Sequence, residues 1–285
     1  MKKALNIFIE IKLGGYMEKY KRLLLNFIIY SFIFVCAFPI LILMLWSMAK
    51  RWSWPNLMPE EYSMRGILYL LSCTGCSLEI LCFSVGLALT VTVISILLSI
   101  PAAKAMALYD FKGKNTIRLI IFLPLVISPA ALAMGVHFTF IKLGLASTLT
   151  GVIIIHLIPC LPYGIIMLSD VFKFIGDKVE LQAKLLGASS KQVFLYVTLP
   201  LLAPGIITSG SLIFIIAFSQ YFLTLLIGGG NIITFSVEMV PFIQSGDRAM
   251  AASYSMVFII TTLILLFIAD KLIKAYYKTE KYYYL

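Results

Sequence analysis

Charge is scarce in this chain. Only 13% of its 285 residues are Asp, Glu, Lys or Arg, against 61% hydrophobic residues, and the mean hydropathy is +1.00. That balance excludes an ordinary soluble domain and predicts an integral membrane protein. Histidine is scarcer still. His137 and His156 have no carboxylate or metal-ligand partner at a useful spacing, so no catalytic residue and no metal site are expected. An intramembrane enzyme built on these histidines is disfavoured, because Glu79 and Asp170 lie only at span ends. No Gly-x-x-x-x-Gly-Lys-Ser/Thr run occurs, and Lys112-Gly113-Lys114 is only a basic turn. If ATP is used, another polypeptide must bind it. Met1 to Arg22 lacks the apolar core and small-residue cleavage site of a secretory leader, and Met17 is an alternative start. Of the five cysteines (Cys36, Cys73, Cys76, Cys82 and Cys160), Cys73 and Cys76 form a lone C-x-x-C that an oxidising compartment could pair. With no second pair to complete a zinc site, the cysteines are expected to be small residues at helix interfaces.

What is abundant is long apolar sequence. A hydrocarbon core of roughly 30 Å needs about 20 residues of helix. Six stretches qualify: Leu23 to Leu45, Ile80 to Ala103, Ile117 to Ile141, Thr148 to Val171, Leu199 to Ile227, and Ala251 to Ile268. Pro124 and Pro129 in the third, and Pro159 and Pro162 in the fourth, predict kinked central helices. The expected fold is therefore all-α and polytopic, with six transmembrane helices. The formal net charge of +10 is unevenly placed rather than a nucleic-acid signal. With both termini in the cytoplasm, every Lys and Arg except Lys50, Arg51, Arg65, Lys142 and Arg248 falls inside. The positive-inside rule then fixes the orientation. The expected division is a cytoplasmic tail over 1–22, a membrane domain over 23–275, and a Tyr-rich cytoplasmic tail over 276–285.

Between Glu180 and Pro200 the oily chain turns polar and basic, and this orientation places the segment in the cytoplasm. Glu180 to Leu186 are mostly good helix formers, with an acid in the first turn where it complements the helix dipole. Gly187 can close that helix in a left-handed conformation. Ser189 and Gln192 have capping-box spacing and predict a second helix to about Tyr196. Leu181, Leu185, Val193 and Phe194 give the pair an apolar side, while Lys184 and Lys191 keep it in water. Leu199-Pro200 marks the start of the next span.

A second polar constellation, Ser219-Gln220-Tyr221-Phe222-Leu223-Thr224, lies late in the fifth span, ahead of Gly228-Gly229-Gly230. Polar groups at membrane depth are costly unless they meet water or a partner. Ser219, Gln220, Tyr221, Thr224 and His156 are thus candidates for a solute pathway, with helix-to-helix hydrogen bonding the competing role. The glycines are expected to form a flexible exit into the outer loop.

The cytoplasmic segment resembles the EAA loop of binding-protein-dependent ABC importer permeases, whose pattern is Glu-Ala-Ala, three residues, Gly, nine residues, then Ile-x-Leu-Pro. Ala183 matches the second alanine, Gly187 the glycine, and Leu199-Pro200 match outright, with Val197 for the isoleucine. The signature glutamate position holds Leu181, with Glu180 one residue earlier, and Gln182 replaces the first alanine. Ser99-Ile100-Pro101-Ala102-Ala103-Lys104-Ala105, Leu123-Pro124, Leu161-Pro162-Tyr163 and Ser245-Gly246-Asp247-Arg248 extend the similarity over about residues 20 to 275. The branch it resembles includes polyamine, ferric-iron and thiamine permeases.

The resemblance implies a type I importer fold and a coupling loop over 173–198, with Glu180, Ala183, Gly187, Leu199 and Pro200 as coupling residues. It implies a multi-pass subunit of the bacterial inner membrane that binds no cofactor itself. ATP and Mg belong to cytoplasmic ATPase subunits, a second permease chain (the same or different) completes the pathway, and an extracytoplasmic binding protein delivers a small polar or charged solute. The competing expectation is a channel or carrier that works without ATP.

Overall fold

The computed structural model describes residues 2–52, 56, 58–71 and 77–280. Cys73 and Cys76 lie outside the described residues, and so does the end of the Tyr-rich tail. The chain forms α1 (Lys2–Ser47), a short antiparallel pair β1 (Ala49–Arg51) and β2 (Glu61–Tyr62), α2 (Arg65–Leu71), α3 (Ser77–Leu108), α4 (Lys114–Val126), α5 (Pro129–Lys142) and α6 (Leu149–Ile175). It continues through α7 (Lys178–Leu185), α8 (Ser190–Val193), a π-helical turn over Phe194–Thr198, α9 (Leu199–Ser219), α10 (Phe222–Gly228), α11 (Phe235–Ser245) and α12 (Arg248–Glu280). Among the described residues five helical stretches are long and apolar enough to cross a bilayer: Leu23–Ser47, Ser77–Leu108, Leu149–Ile175, Ser190–Ser219 and Arg248–Leu272.

The third expected span is not one kinked helix. α4 and α5 meet at a bend of 109°. Ser128 precedes a proline, which disfavours helical backbone there, and it sits extended at φ −64°, ψ 144°. Its hydroxyl accepts the Ala131 N–H, and Pro129 opens the new helix where its missing N–H costs nothing. Pro159 and Pro162, by contrast, are accommodated inside the continuous α6. The fifth span also departs from expectation. It starts at Ser190 rather than Leu199 and stops at Ser219, because Gln220 turns extended at ψ 109° before α10 begins.

Two compact units can be described, one of residues 1–67 with 248–256 and the other of residues 68–247 with 257–285. In the first, Trp46 stacks on Trp52 with ring centroids 4.5 Å apart, and the Arg248 guanidinium lies 5.2 Å from the Trp46 ring. Ser253 donates to the Ser47 carbonyl at 3.4 Å, and Gly66 approaches Ser253 so closely that a side chain there would collide with it. No residue in the most apolar window of α1 is buried.

The second unit is centred on α3, α6 and α9. Helices immersed in lipid gain little from hydrophobic burial against one another, so they associate through close packing of small residues. Ala88, Ser95, Ser99, Ala103, Cys160, Gly164, Gly205, Ser209 and Gly210 are all buried there. Cys160 meets the interface expectation, whereas Cys36 and Cys82 are exposed. One cluster joins Ala88, Val91, Cys160, Ile213, Phe214 and Phe218, with Phe218 stacked 4.5 Å from Phe258. A second, Ala103, Leu168, Phe172 and Leu202, lies nearer the polar 173–198 segment. A third packs α5 and α10 on α6 through Ala133, Phe140, Val152, Ile155, Leu223 and Ile227.

Candidate coupling site and solute pathway

The polar segment folds as helix, glycine turn, helix, and each part of the turn has a local cause. α7 closes in a Schellman arrangement. The Ala188 N–H bonds the Ala183 carbonyl at 3.1 Å, and the Gly187 N–H bonds that of Lys184 at 3.0 Å. Gly187 sits at φ +91°, where a side chain is strained although the space around it is open. Ala183 therefore contributes its carbonyl and Gly187 its backbone freedom. The capping box forms as the spacing predicts: the Ser189 hydroxyl accepts the Gln192 N–H at 3.4 Å, and the Ser189 N–H donates to Gln192 Oε1 at 2.8 Å.

The second helix does not end near Tyr196. It runs through the π-helical turn into α9 without a break, and the Leu199 N–H bonds the Phe194 carbonyl five residues back. Pro200 gives the reason. It has no N–H to offer Tyr196 and its ring would strike that carbonyl, so the turn before it widens. Leu199-Pro200 thus marks a widened turn within one helical run rather than a fresh helix start. Within the turn Thr198 is buried.

The apolar side expected of this pair is only partly covered within the chain. Val193 is buried, but Leu181, Leu185 and Leu186 are 56%, 79% and 89% exposed. Phe194 is exposed as well.

Glu180 makes an ion pair despite lying one residue before the signature position. Lys104 Nζ, at the cytoplasmic end of α3 in the orientation expected from charge, donates to both carboxylate oxygens at 2.7 and 2.6 Å. The Thr198 hydroxyl donates to Oε1 at 2.7 Å. The Glu180 side chain is 12% exposed and that of Lys104 27%. Burial alone would raise the Glu180 carboxyl. Hydrogen bonds from Lys104 and Thr198, with the charges of Lys104 and Lys184, outweigh it and hold the group below its ordinary 4.5. A depressed carboxyl stabilises the fold above its unfolded value and loses that contribution as pH falls through the lowered one. Protease resistance of the turn is accordingly expected to be flat from neutrality to about pH 5 and to fall only at more acid pH.

Of the pathway candidates, His156 and Thr224 come together in the interior, 1% and 0% exposed. The Thr224 hydroxyl donates to the Gln220 carbonyl at 3.1 Å, which leaves its oxygen to accept from His156 Nε2 at 2.8 Å. This bond ties α6 to the first turn of α10, just after the α9–α10 break. Ser219 is exposed and donates to the Ile216 carbonyl of its own helix, and Gln220 and Tyr221 are half-buried at the break. Gly228 belongs to α10, while Gly229 and Gly230 take left-handed angles of φ +55° and +82°, so the expected exit begins as a defined turn. The described residues contain no group of three or more His, Cys, Asp or Glu able to hold a metal ion.

Sequence reasoning missed Lys104 and Thr198 as partners of Glu180. They lie 76 residues before and 18 residues after it.

Known proteins share both sequence and architecture with this chain. The trehalose transport system permease protein SugB of Mycobacterium tuberculosis is 37% identical over 145 residues, a stretch spanning about half of each chain (50% and 52%). The molybdenum transport system permease protein ModB of Mycobacterium bovis is 27% identical over 235 residues, covering 77% of this chain and 85% of that one. A crystal structure of a bacterial alginate ABC transporter, in complex with an alginate pentasaccharide-bound periplasmic protein, superposes with a TM-score of 0.58. It is 16% identical, over 87% of this chain and 91% of that one, and so establishes a shared fold. Residues 95–279, which include the second half of α3, the 173–198 segment, α6 and α9, match the family described as binding-protein-dependent transport system inner membrane component, and the chain belongs to that family of ABC importer permease subunits.

Proposed function

We propose that this chain forms one half of the solute pathway of an ATP-driven importer, and that its segment 173–198 is the contact through which cytoplasmic ATPase subunits drive it. The observation that carries this reading is the exposed apolar surface of Leu181, Leu185 and Leu186 on α7 and its tight closing turn, outside the spans. A chain with no phosphate-binding loop of its own needs such a surface to receive work from ATP. The excess of basic residues on the same side supports a cytoplasmic position for it, with both termini inside. Ala183 and Gly187 build the turn, Leu199 and Pro200 widen the helix above it, and Glu180 anchors it.

A second permease chain, the same or different, completes the pathway. An extracytoplasmic binding protein presents the solute at the opposite face, as the periplasmic protein bound to the alginate transporter suggests. Ser219, Gln220 and Tyr221 at the α9–α10 break face the pathway, and the His156–Thr224 bond fixes the break in place. The solute is small and polar or charged. The branch resemblance points toward polyamines, iron complexes or thiamine-like compounds, and the named relatives widen the class to trehalose and molybdenum.

Two measurements test the proposal. A photocrosslinker at Leu186 is expected to capture the ATPase subunit in membranes, and no capture would count against it. Gly187→Val adds about 1–2 kcal/mol of left-handed strain at the turn. It is expected to abolish ATP-coupled uptake while membrane insertion persists, whereas Gly187→Asn is expected to keep most of it. Normal uptake by the valine variant would refute a coupling role for the turn.

A further inference from the structure

In an α-helix each residue is rotated about 100° from the last, so a carboxylate one position early points to a different side. In this chain the signature position, Leu181, is 56% exposed, and the carboxylate of Glu180 is turned into the protein. Both of its oxygens are engaged by the Lys104 ammonium, and Oε1 also accepts from Thr198. Little of it is left to offer a partner subunit. Its three members stand on three elements: the first turn of α7, the end of α3, and the widened turn that leads into α9. α3 and α9 are also two of the three helices that form the membrane core, packed there through Ala103 and Leu202.

Resting on the coupling role proposed above, we infer that Lys104, Glu180 and Thr198 form an internal strut that carries movement of the coupling turn to α3 and α9, which makes Lys104 and Thr198 positioning residues for ATP-coupled transport. The Schellman turn and capping box make the helix pair stiff, but stiffness alone does not connect it to α3. α7 reaches α3 through this carboxylate, whereas its link to α9 runs both through the chain and through Thr198. The π-helical geometry has a role in the same device. It fixes the rotation of Thr198 about the helix axis, and a regular α-helical turn would aim its hydroxyl elsewhere. Such an arrangement separates two tasks that a single outward glutamate would combine: exposed leucines hold the ATPase, and a buried ion pair transmits its motion.

The test uses the complete complex in proteoliposomes, with the ATPase, the second permease chain and the binding protein. It reads ATPase subunit retained on purification, ATP hydrolysis, and solute accumulated per ATP. Glu180→Gln and Lys104→Gln are each expected to lower solute per ATP on the order of tenfold while the ATPase subunit stays bound. The charge exchange Lys104→Glu with Glu180→Lys is expected to recover most of the loss, because it restores the ion pair itself. Thr198→Val, nearly isosteric, gives a second handle should the charge variants fold poorly: an intermediate loss is expected, with Thr198→Ser near normal. Unchanged solute per ATP in both Glu180→Gln and Thr198→Val overturns the strut, as does a charge exchange no better than either single change. Loss of the ATPase from the Glu180→Gln complex also overturns it, by placing Glu180 at the subunit contact, and leaves the docking proposal standing. A wild-type complex that retains no ATPase overturns the docking proposal and the strut with it.

Discussion

Replacing Leu185 and Leu186 together by glutamine is expected to release the ATPase subunit while leaving the permease folded. These side chains are 79% and 89% exposed, so they give almost nothing to the stability of the chain itself. Glutamine is nearly as good a helix former as leucine, and it adds no charge beside the dipole at the end of α7. What is lost is apolar surface presented to a partner. A loss of about 1 kcal/mol from each leucine totals about 2 kcal/mol, and about 1.4 kcal/mol is a factor of ten in affinity. The double variant should thus bind about 30-fold more weakly, measured by titrating purified ATPase onto the permease in nanodiscs. Unaltered affinity would mean that the exposed leucines are not the contact.

Gly164→Leu is expected to have the opposite signature, loss of the folded permease itself. Gly164 lies on α6 where α3 and α9 converge, and a Cβ placed there would fall 3.0 Å from Ser99 Cβ and 3.1 Å from Ile213 Cδ1, with Ser99 Oγ nearer still. Ser99 and Ile213 are fully buried and have no solvent to retreat into. Overpacking of this kind typically costs about 1–3 kcal/mol and more where backbone must move. In membranes close approach is also the main source of helix association. Thermal unfolding in detergent should drop sharply for Gly164→Leu and less for Gly164→Ala. Adding Ser99→Gly to Gly164→Ala should recover part of the loss, because residues in direct contact couple non-additively. Additive losses would show that the two do not share that contact.

How far the chain could be read before its fold was known depended on whether the cause was local. Gly187, Ser189 and Gln192 act on backbone groups within a few residues, and the turn they predict is the turn that forms. The apolar spans were legible for the same reason, since bilayer thickness acts on composition directly. Hydropathy alone is blind to where helices break. The stretch from Ile117 to Ile141 is apolar throughout, yet Ser128-Pro129 divides it, and Gln220 ends α9 within another apolar run. The proline effect at Pro200 was half legible: its unsuitability for a helix interior suggested a new start, whereas a widened turn absorbed it. Least legible was the partnership of Glu180 with Lys104, which depends on the placement of the end of α3 beside α7. The displaced glutamate first suggests a weakened motif, and only the fold reveals its inward ion pair.

This permease is expected to move solute by drawing on ATP hydrolysis through the 173–198 turn. The most direct test is uptake into proteoliposomes carrying the chain with its ATPase and second permease, with a binding protein outside and a panel of small polar solutes. Accumulation against a gradient that needs both enclosed ATP and the binding protein, and that disappears in Gly187→Val, is the expected result. Solute flux of equal rate without ATP or ATPase, running only down its gradient, would contradict it and identify a passive channel.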